Sequence, residues 1–472
     1  MEQLTTLDAG FLQAEDSDPH ASLAIGAVAV LAGPMPDFET LSAQLGERIM
    51  TAPRFRQVLR THPLDLEPPE WVDDEAFDLS HHIRLAALPR PGDDAALNRF
   101  VADVMERRLD RDRPLWECWV VDGLAHNRWA VLVKIHHCVA DGVAATHLLT
   151  QLCDAPVESH TEGRAEQASE GGGREDRRRL PTVSLNPADW VTWAWRTSCG
   201  VTSATTQALH GGLDLAAGLL RPAATSSLTG PVSDMRRYAT VEVSMADVES
   251  VCERFGVTVN DVALAAITDS FRTMLLRRGE KPRRTSLRTL VPVSVRPEDA
   301  TGTPDNRVSV MLPYLPVDKS DPIQQLRAVH ERMTRAKGSG QSQAGSALIA
   351  ASRLIPFPVT AWAVRALTRL PQRGVVTLAT NVPGPRKRVY LAGREVIRLL
   401  PVPPLAMQLR TGVAILSYAD HLAFGIIGDY DAAPDVGELA DGIAHAVSRL
   451  AELSHGHWRC TPAGTLALVE GG

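Results

Sequence analysis

The segment His136-His137-Cys138-Val139-Ala140-Asp141-Gly142 places two histidines and an Asp-Gly pair at the junction of two predicted elements. Residues 129–135 are mostly apolar, which is typical of a buried strand, and a helical pattern begins near Val143. A turn between a strand and a helix presents its side chains at the edge of a sheet, where a ligand can reach them. The segment therefore predicts an α/β fold with a functional site at this turn.

The alternation of strand side chains predicts different roles for the two histidines. Successive strand residues point to opposite faces. His137 is thus expected on the apolar face that carries Ile135, and His136 on the opposite face, with Lys134. A neutral imidazole in apolar surroundings can accept a proton near neutral pH. We expect His137 to be a general base and His136 to anchor the turn by packing or hydrogen bonding.

The Asp-Gly pair allows two interpretations. Asp141 either pairs with an arginine, for which Arg296 is the candidate, and so orients the turn, or it caps the helix that starts near Val143. Both interpretations give Asp141 a structural role. Gly142 is expected to keep the turn compact and the space beside His137 open.

Two other kinds of site fit this segment poorly. Adjacent histidines on a strand point in opposite directions and chelate one ion poorly, and no Glu or third His follows at helical ligand spacing. The G-x-S-x-G elbow of serine hydrolases is absent from the sequence. We therefore expect no bound metal, and direct attack on a substrate assisted by a single base.

The length, net charge and cysteine content of the chain exclude several classes of protein. A chain of 472 residues is long enough for two ordinary domains. A net charge of −7 argues against a general nucleic-acid binder, which needs a basic face. Six scattered cysteines without a CxxC pair are more typical of reduced thiols than of a disulfide framework. No secretory signal is recognisable, and the longest strongly apolar stretch, residues 23–32, is too short to cross a bilayer, so a cytoplasmic location is expected.

Composition and periodicity divide the chain. Residues 157–182 are rich in Glu, Gly, Ser and Arg and are predicted to be disordered. They begin a linker over 157–235 whose second part is helical. The linker separates an N-terminal domain, 1–156, which carries the histidine segment, from a C-terminal domain, 236–455, and a tail, 456–472. Helices are predicted at 40–50, 93–108, 259–276 and 436–453, and strands at 23–31, 118–121, 129–135, 238–243, 286–295, 309–315, 375–380, 413–417 and 422–428.

The histidine segment matches the active-site motif of the CoA-dependent acyltransferase superfamily, which includes chloramphenicol acetyltransferase, carnitine acyltransferases and peptide-synthetase condensation domains. Further segments resemble the bacterial wax ester synthase/diacylglycerol acyltransferase family, and within it the mycobacterial triacylglycerol synthases. These segments are 4–12, Pro114-Leu115-Trp116-Glu117, Asn260-Asp261-Val262, 291–296, 381–385 and 406–411.

This resemblance implies two similar α/β domains of the chloramphenicol acetyltransferase type with an active-site tunnel between them. It implies that His137 removes the proton from a diacylglycerol hydroxyl, which attacks the thioester of a long-chain acyl-CoA to give triacylglycerol. Acyl-CoA would be a co-substrate, with no cofactor. The alternatives are a wax ester synthase, which uses a long-chain alcohol, and an inert lipid-binding member of the fold.

Other segments carry weaker signals. Asn260 either donates a hydrogen bond to a developing oxyanion, holds the active-site turn across the domain interface, or caps its helix.

Trp116 is expected to pack in the core, and Arg386-Lys387-Arg388 to be solvated. The tryptophans at 190, 193 and 195 and the apolar run 349–370 suit either core packing or peripheral contact with the inner membrane or a lipid droplet.

Overall fold

The computed structural model describes residues 2–62, 67–140, 149–154, 226–294, 308–338, 357, 374–406, 409–455, 458–460 and 466–468. Within these residues, two six-stranded mixed sheets carry most of the structure. Two small sheets, β1-β4-β3 and β16-β17, accompany them.

The strands are β1 (Glu2–Gln3), β2 (Ala24–Ala32), β3 (Gln57–Arg60), β4 (Glu70–Asp73), β5 (Ile83–Ala87), β6 (Trp116–Leu124), β7 (Arg128–His136), β8 (Arg236–Ser244), β9 (Thr289–Ser294), β10 (Val308–Met311), β11 (Thr377–Pro383), β12 (Tyr390–Leu391), β13 (Arg394–Val402), β14 (Thr411–Tyr418), β15 (His421–Asp429), β16 (Trp458–Cys460) and β17 (Leu466–Leu468). The helices are α1 (Thr6–Ser17), α2 (Phe38–Ile49), α3 (Asp94–Glu106), α4 (Met245–Phe255), α5 (Val259–Arg277), α6 (Pro322–Gly338) and α7 (Val436–His455).

The first sheet has the order β12-β13-β2-β7-β6-β5. Strands β6 and β7 form the predicted hairpin, with Trp116 opposite Ile135. Strand β2 pairs antiparallel with β7, and Ala24 lies opposite His136. This pairing brings the start of β2 and the start of β6 to the end of β7, where the histidine segment begins.

Strands β12 and β13 come from the C-terminal half of the chain but extend the first sheet. Strand β13 pairs antiparallel with β2 from Gly26 to Leu31. The sequence placed these residues in a C-terminal domain of 236–455, so that boundary does not follow the sheets. The reason is physical: a strand pairs with any complementary edge within reach, and the partner is not encoded in the strand's own pattern.

The second sheet has the order β10-β9-β11-β14-β15-β8. Helices α5 and α7 cover one face with an apolar core that includes Ile267, Phe271, Ile443 and Val447. Helix α5 begins at a capping box, because Thr258 and Asp261 each bond the other's backbone N–H.

A second apolar cluster joins the two sheets. It contains Val28 and Leu132 from the first sheet and Tyr238 and Ile427 from the second. The Tyr238 hydroxyl donates a hydrogen bond to the carbonyl oxygen of Pro401 on β13 at 2.8 Å. We call β13 the exchanged strand, because it comes from the C-terminal half but pairs with β2 in the first sheet. It lies directly against the second sheet.

The sequence located most of the central strands and helices. Helix α7, for example, was predicted at 436–453 and runs Val436–His455. Helices α1, α4 and α6 and strand β13 were not predicted. No helix among the described residues is both long enough and apolar enough to span a bilayer. The predicted linker at 157–235 lies outside the described residues up to 225.

Candidate active site

Backbone hydrogen bonds hold the histidine turn between two neighbouring strands. The N–H of His136 donates to the carbonyl of Leu115 at 3.0 Å, and the N–H of His137 donates to that of Leu23 at 3.0 Å. The N–H of Val139 closes the turn on the carbonyl of His136 at 2.9 Å. Strand β7 ends at His136, so His137 belongs to the turn.

His136 is buried, and both of its ring nitrogens lie near polar groups. Its Nδ1 accepts the backbone N–H of Cys138 at 3.2 Å and lies 2.9 Å from the Cys138 thiol. Its Nε2 lies 3.4 Å from Oε2 of Glu15, a residue of α1. Only 1% of the His136 side chain is exposed, against 2% of Glu15. The Nδ1 bond to the Cys138 N–H spans the turn, and an anchoring role for His136 stays a prediction.

Glu15 is the centre of a buried polar cluster. Its Oε1 accepts the backbone N–H of Leu23 at 3.0 Å, and its Oε2 accepts a hydrogen bond from Arg111 at 2.7 Å. Burial alone would raise the pKa of this carboxyl, but the interaction with His136, the hydrogen bond from the Leu23 N–H and the Arg111 charge outweigh it and lower the pKa to about 2. Glu15 is thus a carboxylate at neutral pH.

The His137 ring lies against α1. It packs on Phe11, with 4.3 Å between the ring centroids and 38° between the ring planes. His137 is only partly buried, whereas His136 is buried. The two histidines therefore differ in exposure, and His137 is the more accessible of the two.

The strand alternation misplaced His137. It predicted that the two imidazoles point to opposite faces, but His136 contacts Glu15 and His137 contacts Phe11, which are one turn apart on α1. The alternation ends where β7 ends, because the next residues form a turn. Both rings consequently meet the same helix.

Sequence reasoning missed Phe11 and Glu15. Helix α1 starts after Thr5, whose side chain accepts the N–H of Asp8 at 3.2 Å, a regular N-cap. The segment 4–12 stands out in the sequence only through its family resemblance. The Thr-x-x-Asp spacing at its start was the local signal for a helix there.

Burial makes the Cys138 thiol a poor nucleophile. Burial raises the pKa of Cys138 well above its ordinary value of 9.0, so the group stays protonated at neutral pH. The thiol lies beside His136 and not in solvent. The turn therefore offers an imidazole as its reactive group.

Asn260 meets a second asparagine from the neighbouring strand. Its Oδ1 lies 3.5 Å from Nδ2 of Asn381 on β11, a long hydrogen bond. The capping of α5 is done by Thr258 and Asp261 instead, and Asp261 also accepts a bond from His330 at 2.8 Å. Capping is thus not the role of the Asn260 side chain.

Several predicted residues lie outside the described residues. These are Asp141, Gly142 and Arg296, so their pairing stays a prediction, as do the contacts of the tryptophans at 190–195 and of 349–370 apart from Phe357. Within the described part, Trp116 is buried and its Nε1 donates to the carbonyl of Phe55 at 2.9 Å, as expected for core packing. Arg388 pairs with Glu395 at 2.6 Å.

One group of metal-ligating side chains occurs among the described residues. The ligand atoms of His62, Glu67 and Glu70 lie within 4.8 Å of one another, at the β3–β4 connection. None of the contacts of the histidine turn involves them.

Family models match most of the chain. The wax ester synthase/diacylglycerol acyltransferase catalytic domain matches residues 4–263, and the WS/DGAT C-terminal domain matches residues 305–451. A probable diacylglycerol O-acyltransferase, tgs1, of Mycobacterium tuberculosis is 54% identical over 477 residues, covering 99% of this chain and 100% of that protein. A putative diacylglycerol O-acyltransferase of the same organism is 46% identical and covers 96% of this chain and 92% of that protein.

Solved structures show the same fold. The wax ester synthase/diacylglycerol acyltransferase from Marinobacter aquaeolei superposes with a TM-score of 0.67 at 25% identity, covering 96% of this chain and all of that one. The first condensation domain of the calcium-dependent antibiotic synthetase gives 0.61 at 16% identity, with 99% of each chain covered, a likeness of fold alone. The predicted acyltransferase fold is confirmed. With both family models matched and a 54% identical relative over its full length, the chain that forms this histidine turn belongs to the wax ester synthase/diacylglycerol acyltransferase family.

Proposed function

We propose that this protein is an acyl-CoA:diacylglycerol O-acyltransferase that forms triacylglycerol, with His137 as the general base. The observation that carries the proposal is the unequal pair of histidines, one buried beside Glu15, the other partly accessible. The names of the relatives support the choice of diacylglycerol as acceptor.

The proposed reaction needs only one proton acceptor. His137 takes the proton from the acceptor hydroxyl as its oxygen attacks the thioester carbonyl carbon. The tetrahedral oxyanion then collapses, the C–S bond breaks, and the CoA thiolate receives the proton from the imidazolium. Such base assistance typically contributes about 10²–10⁴-fold in rate. Positioning and stabilisation of the oxyanion must supply the rest.

Asn260 is the proposed donor to the oxyanion. Because its Oδ1 accepts from Asn381, its Nδ2 group is the end that faces away from that residue. Its place in the first turn of α5 adds the positive end of the helix dipole. Both features suit a negative charge that develops on the carbonyl oxygen.

The remaining predicted residues have supporting roles in this proposal. His136 fixes the turn from which His137 projects, Asp141 orients it, and Gly142 leaves space beside the base. The tunnel that the family resemblance implies would bring acyl-CoA and the acceptor together at His137. A long-chain lipid product also favours peripheral contact with a membrane or a lipid droplet.

The experiment uses the full chain with palmitoyl-CoA and either diolein or hexadecanol, following CoA release and the lipid products. We expect triacylglycerol from diolein, and a fall of about 10²–10⁴-fold in kcat for His137→Ala. His81→Ala is the matched control, because His81 also belongs to a histidine pair but is exposed and lies 3.9 Å from Asp78. It should keep wild-type activity.

Other outcomes decide between the alternatives. Turnover with hexadecanol alone would make the protein a wax ester synthase. No turnover with either acceptor would favour the lipid-binding alternative. Wild-type activity in His137→Ala would remove His137 from the mechanism.

A further inference from the structure

We infer that Glu15 is a positioning residue that fixes His136 as the tautomer with its proton on Nε2, and thereby sets the turn that presents His137. This inference rests on the proposed function for its kinetic consequence. Its structural part, the tautomer, can be measured without any turnover.

The Glu15 carboxylate lies in a cage of hydrogen-bond donors. The Leu23 backbone N–H reaches Oε1 at 3.0 Å, and the Arg111 guanidinium reaches Oε2 at 2.7 Å. The third neighbour, His136 Nε2, lies 3.4 Å from Oε2. A backbone amide and a guanidinium can only donate, so a group that accepts at both oxygens is required here. Only the ionised carboxylate meets that need.

The other ring nitrogen of His136 must be an acceptor. The backbone N–H of Cys138 donates to Nδ1 at 3.2 Å, so Nδ1 carries no proton. The proton of a neutral imidazole is then on Nε2, which faces Glu15. The carboxylate and the Cys138 amide thus select the same tautomer from opposite sides of the ring.

This tautomer matters because the bond to Nδ1 spans the turn. It links His136 to Cys138, and His137 is the residue between them. If Nδ1 carried the proton, it would face the Cys138 N–H as donor against donor, and the turn would have to change its shape. His137 would then lose its position against Phe11.

Glu15→Gln tests this arrangement with almost no change in volume. The amide supplies one acceptor and one donor, so its NH₂ group must face either the Leu23 N–H at the Oε1 position or both Arg111 and His136 at the Oε2 position. If it faces His136, the ring can satisfy it only by moving its proton to Nδ1. Glu15→Asp keeps two acceptors on a shorter side chain and should restore the wild-type tautomer.

The first measurement is ¹⁵N NMR of the full chain labelled at histidine, with the His136 signals identified by their loss in His136→Ala. We expect the Nε2-protonated pattern in the wild type and in Glu15→Asp, and a loss of that pattern in Glu15→Gln. Asp429→Asn is the matched control. Asp429 is also a buried carboxylate, accepting from Ser233 at 2.8 Å in the second sheet, and its replacement should leave the His136 signals unchanged.

The second measurement is kinetic. We expect Glu15→Gln to lower kcat by about 10- to 100-fold, as a displaced base does, while KM for palmitoyl-CoA changes less than about threefold. Glu15→Asp should recover part of kcat. An unchanged tautomer and an unchanged kcat in folded Glu15→Gln would overturn the inference.

Two results separate this inference from the proposed function. If the wild type shows His136 protonated on Nδ1, the inference is wrong whatever the activity, and this holds even where Glu15→Gln does not fold. If the wild type has the expected tautomer but turns over neither acceptor, the proposed function fails and the tautomer assignment stands.

Discussion

The ring of Phe11 covers one side of the His137 imidazole, with 4.3 Å between the two centroids. Helix α1 carries Phe11, and four residues later Glu15 contacts the neighbouring His136. One helix near the start of the chain therefore contacts both histidines of the turn at the end of β7.

Phe11→Ala should reduce activity more than stability. Removing the ring frees His137 to adopt other rotamers, and we expect kcat to fall by about tenfold or more because a misplaced base loses its alignment. Phe11 is only partly buried, so the loss in the free energy of unfolding should stay near about 1–2 kcal/mol. Steady-state kinetics and urea denaturation measure the two effects.

Phe77→Ala is the matched control for Phe11→Ala. Phe77 also stacks on a histidine, His82, with 5.3 Å between centroids, but His82 bonds to the Trp116 carbonyl and does not belong to the turn. We expect a loss of stability and an unchanged kcat. Equal loss of kcat in both variants would contradict a specific role for Phe11.

Acid should unfold the protein partly through Glu15. Its pKa is lowered to about 2 in the fold from an ordinary 4.5, so the unfolded chain binds the proton more readily. The stabilisation is complete above pH 4.5 and is lost as the pH falls to about 2. Between these limits the wild type should lose about 3 kcal/mol more than Glu15→Gln, by denaturant titration at each pH. Parallel curves would show that the carboxylate is not stabilised by folding.

Lys134 should make the free energy of unfolding depend on pH at the alkaline end of the range. Its side chain is buried, and its Nζ donates to the carbonyl of Val104 at 2.8 Å and to that of Arg107, at the end of α3. Burial lowers the pKa of Lys134 from 10.5 to about 8, against the opposing charges of Glu117 and Glu15. The unfolded chain therefore binds more protons between these values.

The free energy of unfolding of the wild type should rise between pH 8 and pH 10.5 relative to that of Lys134→Met. The difference between the pKa values of Lys134 in the folded and unfolded chain corresponds to a relative rise of about 3 kcal/mol. Lys281→Met replaces an exposed lysine and should follow the wild-type curve. Guanidinium titrations at each pH measure the difference, and a relative fall would show that the burial penalty is absent.

Gly425→Ala should disrupt the contact between β15 and the exchanged strand. A Cβ at this position would lie 1.7 Å from the carbonyl oxygen of Pro401 and 3.0 Å from the Tyr238 hydroxyl. Neither backbone can retreat without breaking its sheet, so we expect a loss of about 3 kcal/mol or more. Gly437→Ala is the control, because a Cβ there meets nothing within 4 Å and should raise stability by up to about 1 kcal/mol. Thermal unfolding of both variants checks the pair.

Local patterns predicted what depends on near neighbours in the chain. The apolar runs at β2, β7 and β15 and the helical spacing at α5 and α7 gave these elements to within a few residues. The histidine segment located the turn, since its residues are contiguous. Core packing of Trp116 followed from its size and apolar ring.

Long-range pairing could not be predicted in this way. The contact between Glu15 and His136 joins residues far apart in the chain. Neither local sequence pattern identifies the other residue as a partner. The same holds for β13, because nothing in its own sequence identifies β2 as its partner. The prediction for the His137 side chain was wrong for a different reason. The alternation rule was extended one residue past the end of β7.

Because of the exchanged strand, the first sheet can be completed only late in the synthesis of the chain. The edge of β2 from Gly26 to Leu31 has its partner only when residues up to Val402 have been made. Until then the nascent first sheet carries an unpaired apolar edge, the kind of surface that recruits other chains. Slow translation of the last third of the message should therefore lower the yield of soluble protein, although the histidine turn was made long before.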